Sequence, residues 1–364
     1  MLLPTPPDEN ISTMQKSIFL FVWKGKRDRI SRKNAIRSIE EGGLGIPDIR
    51  MHIAALKLTW LRKFNRSNHK WKNIINTVYP KMKHIDKLGT GLYINPNVNC
   101  FWRDVFSSYK EFGSKVTPVT SEEFLAEPIF SNQNITVGRK MIFHRNWIEQ
   151  GVFVVGQLLD INGNVLNFDS FKTKFHVQTD FMTYSGCLRA IKTYAKKFNI
   201  TVQSNNAIVE SIVWRKIVSV YKGAKIYYNI LTENKSSLKY CKKWNEKLGE
   251  EVNWKPVFIK LKCVKETKLK WFQIRLTQRI IATNITLSEM KIENDNLCTF
   301  CRILRESIEH LFWECPHVQL FWTSFQTLLN SVCVLAGSVT MSKPLVLFGC
   351  KKNFKVTKVL ILLC

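Results

Sequence analysis

The chain has 364 residues, of which 45% are hydrophobic and 12% aromatic, including eleven Trp. That composition excludes a solvated, disordered chain and leaves room for two or three domains with cores of their own. The formal net charge of +27, from 55 Lys and Arg against 28 Asp and Glu, favours polyanionic partners, RNA or DNA above all.

The opening Met-Leu-Leu-Pro-Thr-Pro-Pro has no basic start and no apolar stretch of the secretory kind. An intracellular, reducing setting is therefore expected, with Cys100, Cys187, Cys241, Cys263, Cys333, Cys350 and Cys364 as free thiols. Ser12 is placed to cap a helix running to Trp23. A basic run follows, in which Lys24, Lys26, Arg27, Arg29, Arg32 and Lys33 face a single acid, Asp28. It is either a solvated loop or a phosphate-contacting segment; Trp23 beside it and the global charge favour the second. Gly42-Gly-Leu-Gly-Ile-Pro47 lacks the Gly-Lys-Ser/Thr of a phosphate loop, so it is expected to be a compact turn. Pro47 and Asp48 open a helix over 49–64 with Ile53, Leu56, Trp60 and Phe64 on one face.

Residues 67–150 are weakly patterned, with helical spacing near Trp71 and over 101–112 and a loop over 84–100. Gly151–Val155 suits a short strand or a helix start. Helical periodicity then marks 168–175, 181–198, 207–222, 224–231, 238–248 and 268–283. On the last of these, Lys268, Arg275 and Arg279 share a stripe, a second candidate phosphate-contacting surface whose alternative is a solvated face. Next comes the most specific motif. Cys298, Cys301, His310 and Cys315 are spaced C-x2-C-x8-H-x4-C, four soft or borderline ligands of the kind zinc binds tetrahedrally. His317 is a rival for His310, set two residues past Cys315 and beyond Pro316. With all four positions filled no site is left for water, so a structural zinc is expected, not a catalytic one. Pro316 opens a final helix, and the apolar 359–364 run is too short to span a bilayer, so no membrane partner is expected.

Catalytic constellations are missing. No two Asp are adjacent, the aromatic-x-Asp-Asp turn of a polymerase does not occur, and there is no Gly-x-Ser-x-Gly elbow. No catalytic residue is assigned.

Phe21-Val-Trp-Lys-Gly-Lys26, Glu41-Gly-Gly-Leu-Gly-Ile-Pro-Asp-Ile49 and Ala54-Ala-Leu-Lys-Leu-Thr-Trp60 resemble the stretch just after the palm of LINE-type (non-LTR) retrotransposon reverse transcriptases. Ile226-Tyr-Tyr-Asn-Ile-Leu231 and Phe272-Gln-Ile-Arg-Leu-Thr-Gln-Arg279 resemble that family's C-terminal region. Cys298-Thr-Phe-Cys301 with Glu306-Ser-Ile-Glu-His-Leu-Phe-Trp-Glu-Cys315 resembles its zinc-binding segment. The resemblance implies a C-terminal piece without the endonuclease or the palm aspartates. Such a piece would grip template RNA or target DNA, or dock against the polymerase and endonuclease parts, in a nuclear or cytoplasmic ribonucleoprotein.

The expected fold is mainly α, a helical thumb-like N-terminal region followed by a helical C-terminal domain with a CCHC zinc knuckle. The expected divisions are 1–115 thumb-like, 116–150 a linker or irregular segment, 151–290 a helical domain, 291–332 the zinc-binding segment and 333–364 a tail.

Overall fold

A computed structural model describes residues 3–92, 99–160, 162–197, 210–221, 223–233, 237–332 and 340–349. Cys333, Cys350 and the 359–364 run lie outside these. The protein is mainly α, as its periodicity predicts. Among the described residues the only sheet is a hairpin of Thr136–Val137 with Lys140–Met141. Its two turn residues, Gly138 (φ 57°) and Arg139 (φ 65°), both take the left-handed conformation that a tight hairpin turn demands. No helix among the described residues is long and apolar enough to cross a membrane.

The chain forms two compact units, Met1–Ile18 with Asp48–Glu233, and Phe19–Pro47 with Asn234–Cys364. In the first, helix Ile49–Arg66 is started by Asp48, whose side chain accepts the Met51 N–H at 3.0 Å. Ala54, Leu58, Leu61 and Phe64 recur at helical spacing and are buried. They pack with helix Cys100–Lys115 and with helices Ile212–Val218 and Lys225–Thr232 in one core. Tyr109 meets Trp214 edge-on at 6.4 Å, and Phe112 meets Tyr227 at 5.9 Å. The expected boundaries at 115 and 151 therefore do not separate domains. Large aromatics more than a hundred residues apart bury each other, which a local reading cannot see.

A second core of the same unit draws on 116–150 together with 152–158 and the helices that follow. That segment is irregular but no linker: Phe130, Ile135 and Trp147 are fully buried, Trp147 4.6 Å from Phe171 of helix Phe168–Phe175. Gly151–Val155 is neither a regular strand nor a helix start. It runs extended into a 3-10 turn, Val155–Leu158. The Gln157 carboxamide oxygen accepts the N–H groups of Phe153 (2.7 Å) and Val154 (3.0 Å), and its nitrogen donates to the Gly151 carbonyl. One side chain thus satisfies one edge of the segment, while the backbone of 127–129 pairs with the other through the Ile129 N–H to the Phe153 carbonyl (2.8 Å) and the Val155 N–H to the Glu127 carbonyl (3.0 Å).

Glu127 lies in this core, 4% exposed, accepting from Asn132 Nδ2 at 2.9 Å. Burial pushes its carboxyl up to about 7, outweighing the Asn132 and Tyr194 hydrogen bonds. A folded value above the ordinary 4.5 means that the native state holds a proton the unfolded chain has lost. Stability should then fall as pH rises from about 4.5 to 7, and stay lower above that. The penalty at pH 8 is on the order of 3 kcal/mol. Glu127→Gln should flatten this pH dependence and exceed the parent in urea unfolding at pH 8. Identical pH profiles for both chains would contradict it.

In the second unit, helices Lys239–Leu248, Trp254–Cys263 and Thr267–Thr277 surround Trp244, which is fully buried with its indole N–H on the Thr277 carbonyl at 2.8 Å. The glycine-rich stretch is a packed turn. Gly42 has φ 82°, and its carbonyl accepts from the Tyr240 hydroxyl (2.7 Å) and the Gln278 carboxamide (3.0 Å). A Cβ there would sit 2.2 Å from the Tyr240 hydroxyl, so only glycine fits. This turn joins the sequence-distant 19–47 segment to the C-terminal helices, and Trp23 completes the join against Trp271 at 5.9 Å.

Candidate metal centre and basic surface

Cys298 and Cys301 sit on a tight knuckle. Leu297 and Arg305 pair as an antiparallel bridge, the Cys298 N–H donates to the Leu304 carbonyl at 2.8 Å, and the Arg302 N–H returns to the Cys298 carbonyl at 2.9 Å. Arg302 takes φ 56° to close the turn. His310 opens a single π-helical turn, His310–Glu314, and the Cys315 N–H donates to the His310 carbonyl at 2.9 Å. That wider turn places His310 and Cys315 over the knuckle, a use of π turns that recurs at functional sites. The clip thus ties a knuckle to one π turn.

The four ligand atoms lie within 4.8 Å of one another. Cys298 Sγ is 3.9 Å from Cys315 Sγ, and Cys301 Sγ is 3.3 Å from His310 Nε2. Cys298, His310 and Cys315 are buried and Cys301 is half-buried. His317 is exposed on the following helix, Pro316–Val332, and is no part of the cluster. The backbone N–H groups of Leu304 and Ile303 hold the Cys301 thiol down at about 6, whereas burial pushes the Cys298 thiol up. Three thiols and an imidazole in this arrangement can hold a metal ion.

Two carboxylates that the sequence reading passed over support the cluster. Glu306 is 4% exposed. Its oxygens accept the Asn284 N–H (3.0 Å), the Thr299 N–H (2.9 Å) and the Thr299 hydroxyl (2.8 Å). It fastens the Cys298–Cys301 turn to the start of helix Asn284–Glu289. Burial opposes its charge, but the Thr299 and Asn284 bonds outweigh burial and hold the carboxyl below its usual range. Glu309, beside His310, pairs with Arg279 at 2.5 Å, side chains 6% and 14% exposed. Here too burial works against the charge and the Arg279 bond wins, lowering the carboxyl. The signal available in the sequence was Glu306-x-x-Glu-His310: acids within a turn of an assigned ligand commonly orient it.

That pair corrects the basic stripe read on 268–283. The helix ends at Thr277, and Arg279 takes the left-handed conformation (φ 58°), with the Ile280 N–H closing onto the Arg275 carbonyl at 2.9 Å. The Arg279 guanidinium lies over the Trp244 ring at 4.2 Å, turned inward. Arg275 is half-buried and Lys268 is exposed. The three do not form one solvated ridge, because the helix stops before Arg279 and a buried carboxylate captures it.

The N-terminal basic run fares differently. Lys24, Lys26, Arg27, Arg29, Arg32 and Lys33 are all exposed. Arg32 pairs with Asp28 at 2.7 Å and lies over Phe19 at 4.9 Å. The run belongs to the same compact unit as the metal cluster.

Residues 226–322 match the family model described as zinc-binding in reverse transcriptase. The matched stretch contains the whole Cys3His cluster together with Glu306, Glu309 and Arg279. The chain is related to reverse transcriptases.

Proposed function

We propose that this chain is the C-terminal part of a LINE-type retrotransposon reverse transcriptase, that its cluster holds a structural zinc, and that it grips RNA or DNA chiefly through phosphate contacts. The observation that carries the binding role is the exposed run from Lys24 to Lys33, anchored through Trp23 in the unit that also holds the cluster. Zinc is supported by the donor set. Bond lengths of about 2.3 Å to sulfur and 2.0 Å to nitrogen give tetrahedron edges of roughly 3.8 and 3.5 Å. Two of the six edges, 3.9 and 3.3 Å, sit close to these, and all four ligand atoms lie within 4.8 Å of one another. With every position filled by protein, the ion serves to hold the knuckle; Cys298, Cys301, His310 and Cys315 would bind it, and no reaction step is assigned to it or to any residue.

Phosphate contacts release counterions, so affinity should depend steeply on salt. Six contacts give a slope of about −4 to −5 in log K against log salt, roughly a 300-fold or greater loss from 50 to 200 mM. A filter-binding titration of the chain with RNA and DNA at several salt concentrations measures it. Lys26→Glu, Arg27→Glu and Arg29→Glu together should lower the slope by about 2 to 3. Salt-insensitive or undetectable binding would refute the proposal.

A second reading is docking onto the polymerase or endonuclease parts of a longer protein. It is favoured by the knuckle tip, where Phe300, Ile303 and Leu304 are 58%, 73% and 55% exposed. Unchanged nucleic-acid binding after the triple charge reversal would favour this second role.

A further inference from the structure

The first unit contains a cavity of about 390 Å³ whose walls combine aromatic rings and cations: Trp60, Trp71 and Tyr221 with Arg62, Lys63 and Arg66. It lies where helix Ile49–Arg66 gives way to helix Lys70–Val78, and its remaining wall is Ser67 and His69, so no acid lines it. The arginines are held without carboxylates. Arg62 donates to the carbonyls of Val220 (3.3 Å) and Gly223 (3.2 Å), and Arg66 to those of Val218, Val220 and Tyr221 (3.3 Å each). They answer the carbonyl end of helix Ile212–Val218, so their charge is fixed in place but not neutralised. Among the described residues, none of Arg62, Lys63 or Arg66 forms an ion pair.

A second electrostatic fact points the same way. Helix Lys70–Val78 starts at this cavity, and a helix start carries partial positive charge that sequences usually offset with Asp or Glu. Here the first turn has no acid and begins His69-Lys70-Trp71-Lys72. Cations are thus concentrated where a compensating anion is missing. The rings face the cavity to different degrees: Tyr221 is 76% exposed with the Arg66 guanidinium 5.6 Å from its centre, whereas Trp60 and Trp71 are half-buried against the first core, the Lys63 ammonium lying 4.3 Å from the Trp60 ring centre. One exposed ring and two half-buried ones beside fixed guanidinium groups match a nucleotide, whose base stacks and whose phosphate takes the charge.

We infer that this cavity is a binding site for an unstacked nucleotide of single-stranded RNA or DNA, with the base against Tyr221 and the tryptophans and its phosphate at Arg62, Lys63 and Arg66. The inference rests on the nucleic-acid-binding reading but adds a site separate from the Lys24–Lys33 run. A paired base cannot enter, so the site distinguishes strand state, which surface phosphate contacts alone do not.

The test uses the full chain with fluorescein-labelled 12-nucleotide oligo(U) and oligo(dT), and a 12-base-pair DNA duplex, followed by anisotropy. Tyr221→Ala and Lys63→Glu should each weaken binding of at least one single strand by about fivefold or more, Tyr221→Ala leaving the duplex unchanged. With 5-iodouracil in the oligomers, photo-cross-links on the unsubstituted chain should map to Tyr221, Trp60 or Trp71; this arm decides even if Tyr221→Ala does not fold. Single-strand binding unmoved by both substitutions, with cross-links only elsewhere, would overturn the cavity while leaving the basic run intact. Absence of binding to every oligomer would overturn both.

Discussion

Replacing Cys315 by Ser should strip the metal and unfold the corner around it. The purified parent chain is expected to carry about one zinc by elemental analysis, and Cys315→Ser or Cys298→Ser well below one after gel filtration. Structural zinc in small finger peptides contributes binding free energy of about 10 kcal/mol or more, which there is folding free energy. The same logic applies to this knuckle, whose other ties are mainly hydrogen bonds, among them the Leu297–Arg305 bridge, the Cys298–Leu304 and Arg302–Cys298 bonds and the Glu306 contacts to Thr299 and Asn284. Hydrogen exchange should accordingly rise over 294–322 in the variants. Peptides from the Trp147 core, in the other compact unit, should keep their protection. A parent chain without metal, or a metal content indifferent to both substitutions, would remove the cluster from the account.

Arg279→Met should be the most damaging single change outside the ligands. The Glu309 carboxylate, 6% exposed, would lose its counter-charge while staying buried, at a cost of about 3 to 5 kcal/mol. The guanidinium's contact with Trp244, 4.2 Å away at the centre of the second unit, would go with it. Removing both partners, as Arg279→Met with Glu309→Leu, should recover much of the loss, because an apolar pair leaves no buried charge behind. Denaturant unfolding of the three variants measures this, and a cost below about 1 kcal/mol for the single change would show that the pair is not buried in solution. The salt slope of nucleic-acid binding supplies an independent check. A side chain this enclosed releases no counterions, so Arg279→Met should leave the slope alone where changes at Lys26, Arg27 and Arg29 lower it.

Several helices are legible from their apolar period, although the buried face of Ile49–Arg66 runs through Ala54, Leu58, Leu61 and Phe64 and leaves Leu56 of the expected face 48% exposed. Phe168–Phe175 falls on the predicted residues, and Ile49–Arg66 and Lys239–Leu248 lie within two residues of expectation. Helix Trp254–Cys263 is not marked by periodicity, because an apolar run with Lys at 255, 260 and 262 suits either a strand or a helix. The helix over 268–283 was drawn too long because its apolar period continues past Thr277; a non-glycine left-handed residue gives no local warning, and Arg279 holds that conformation while paired to a residue thirty positions on.

The four candidate metal ligands were legible in the sequence, with His317 as a rival for His310, because two ligands on a knuckle and two on the next turn are a matter of local spacing, and the chain carries all of them within eighteen residues. Tertiary structure decided everything that depends on distant chain segments meeting. It chose His310 over His317, by burying one and leaving the other in water. It packed 116–150, expected as a linker or irregular segment, into a core with later helices, and it placed the Lys24–Lys33 run in the unit of the cluster through Trp23 and the Gly42 turn. It also took Arg279 out of the basic surface. Charge and periodicity record what a residue can do; only the fold determines which groups are desolvated together, and that sets which cations remain free for a partner.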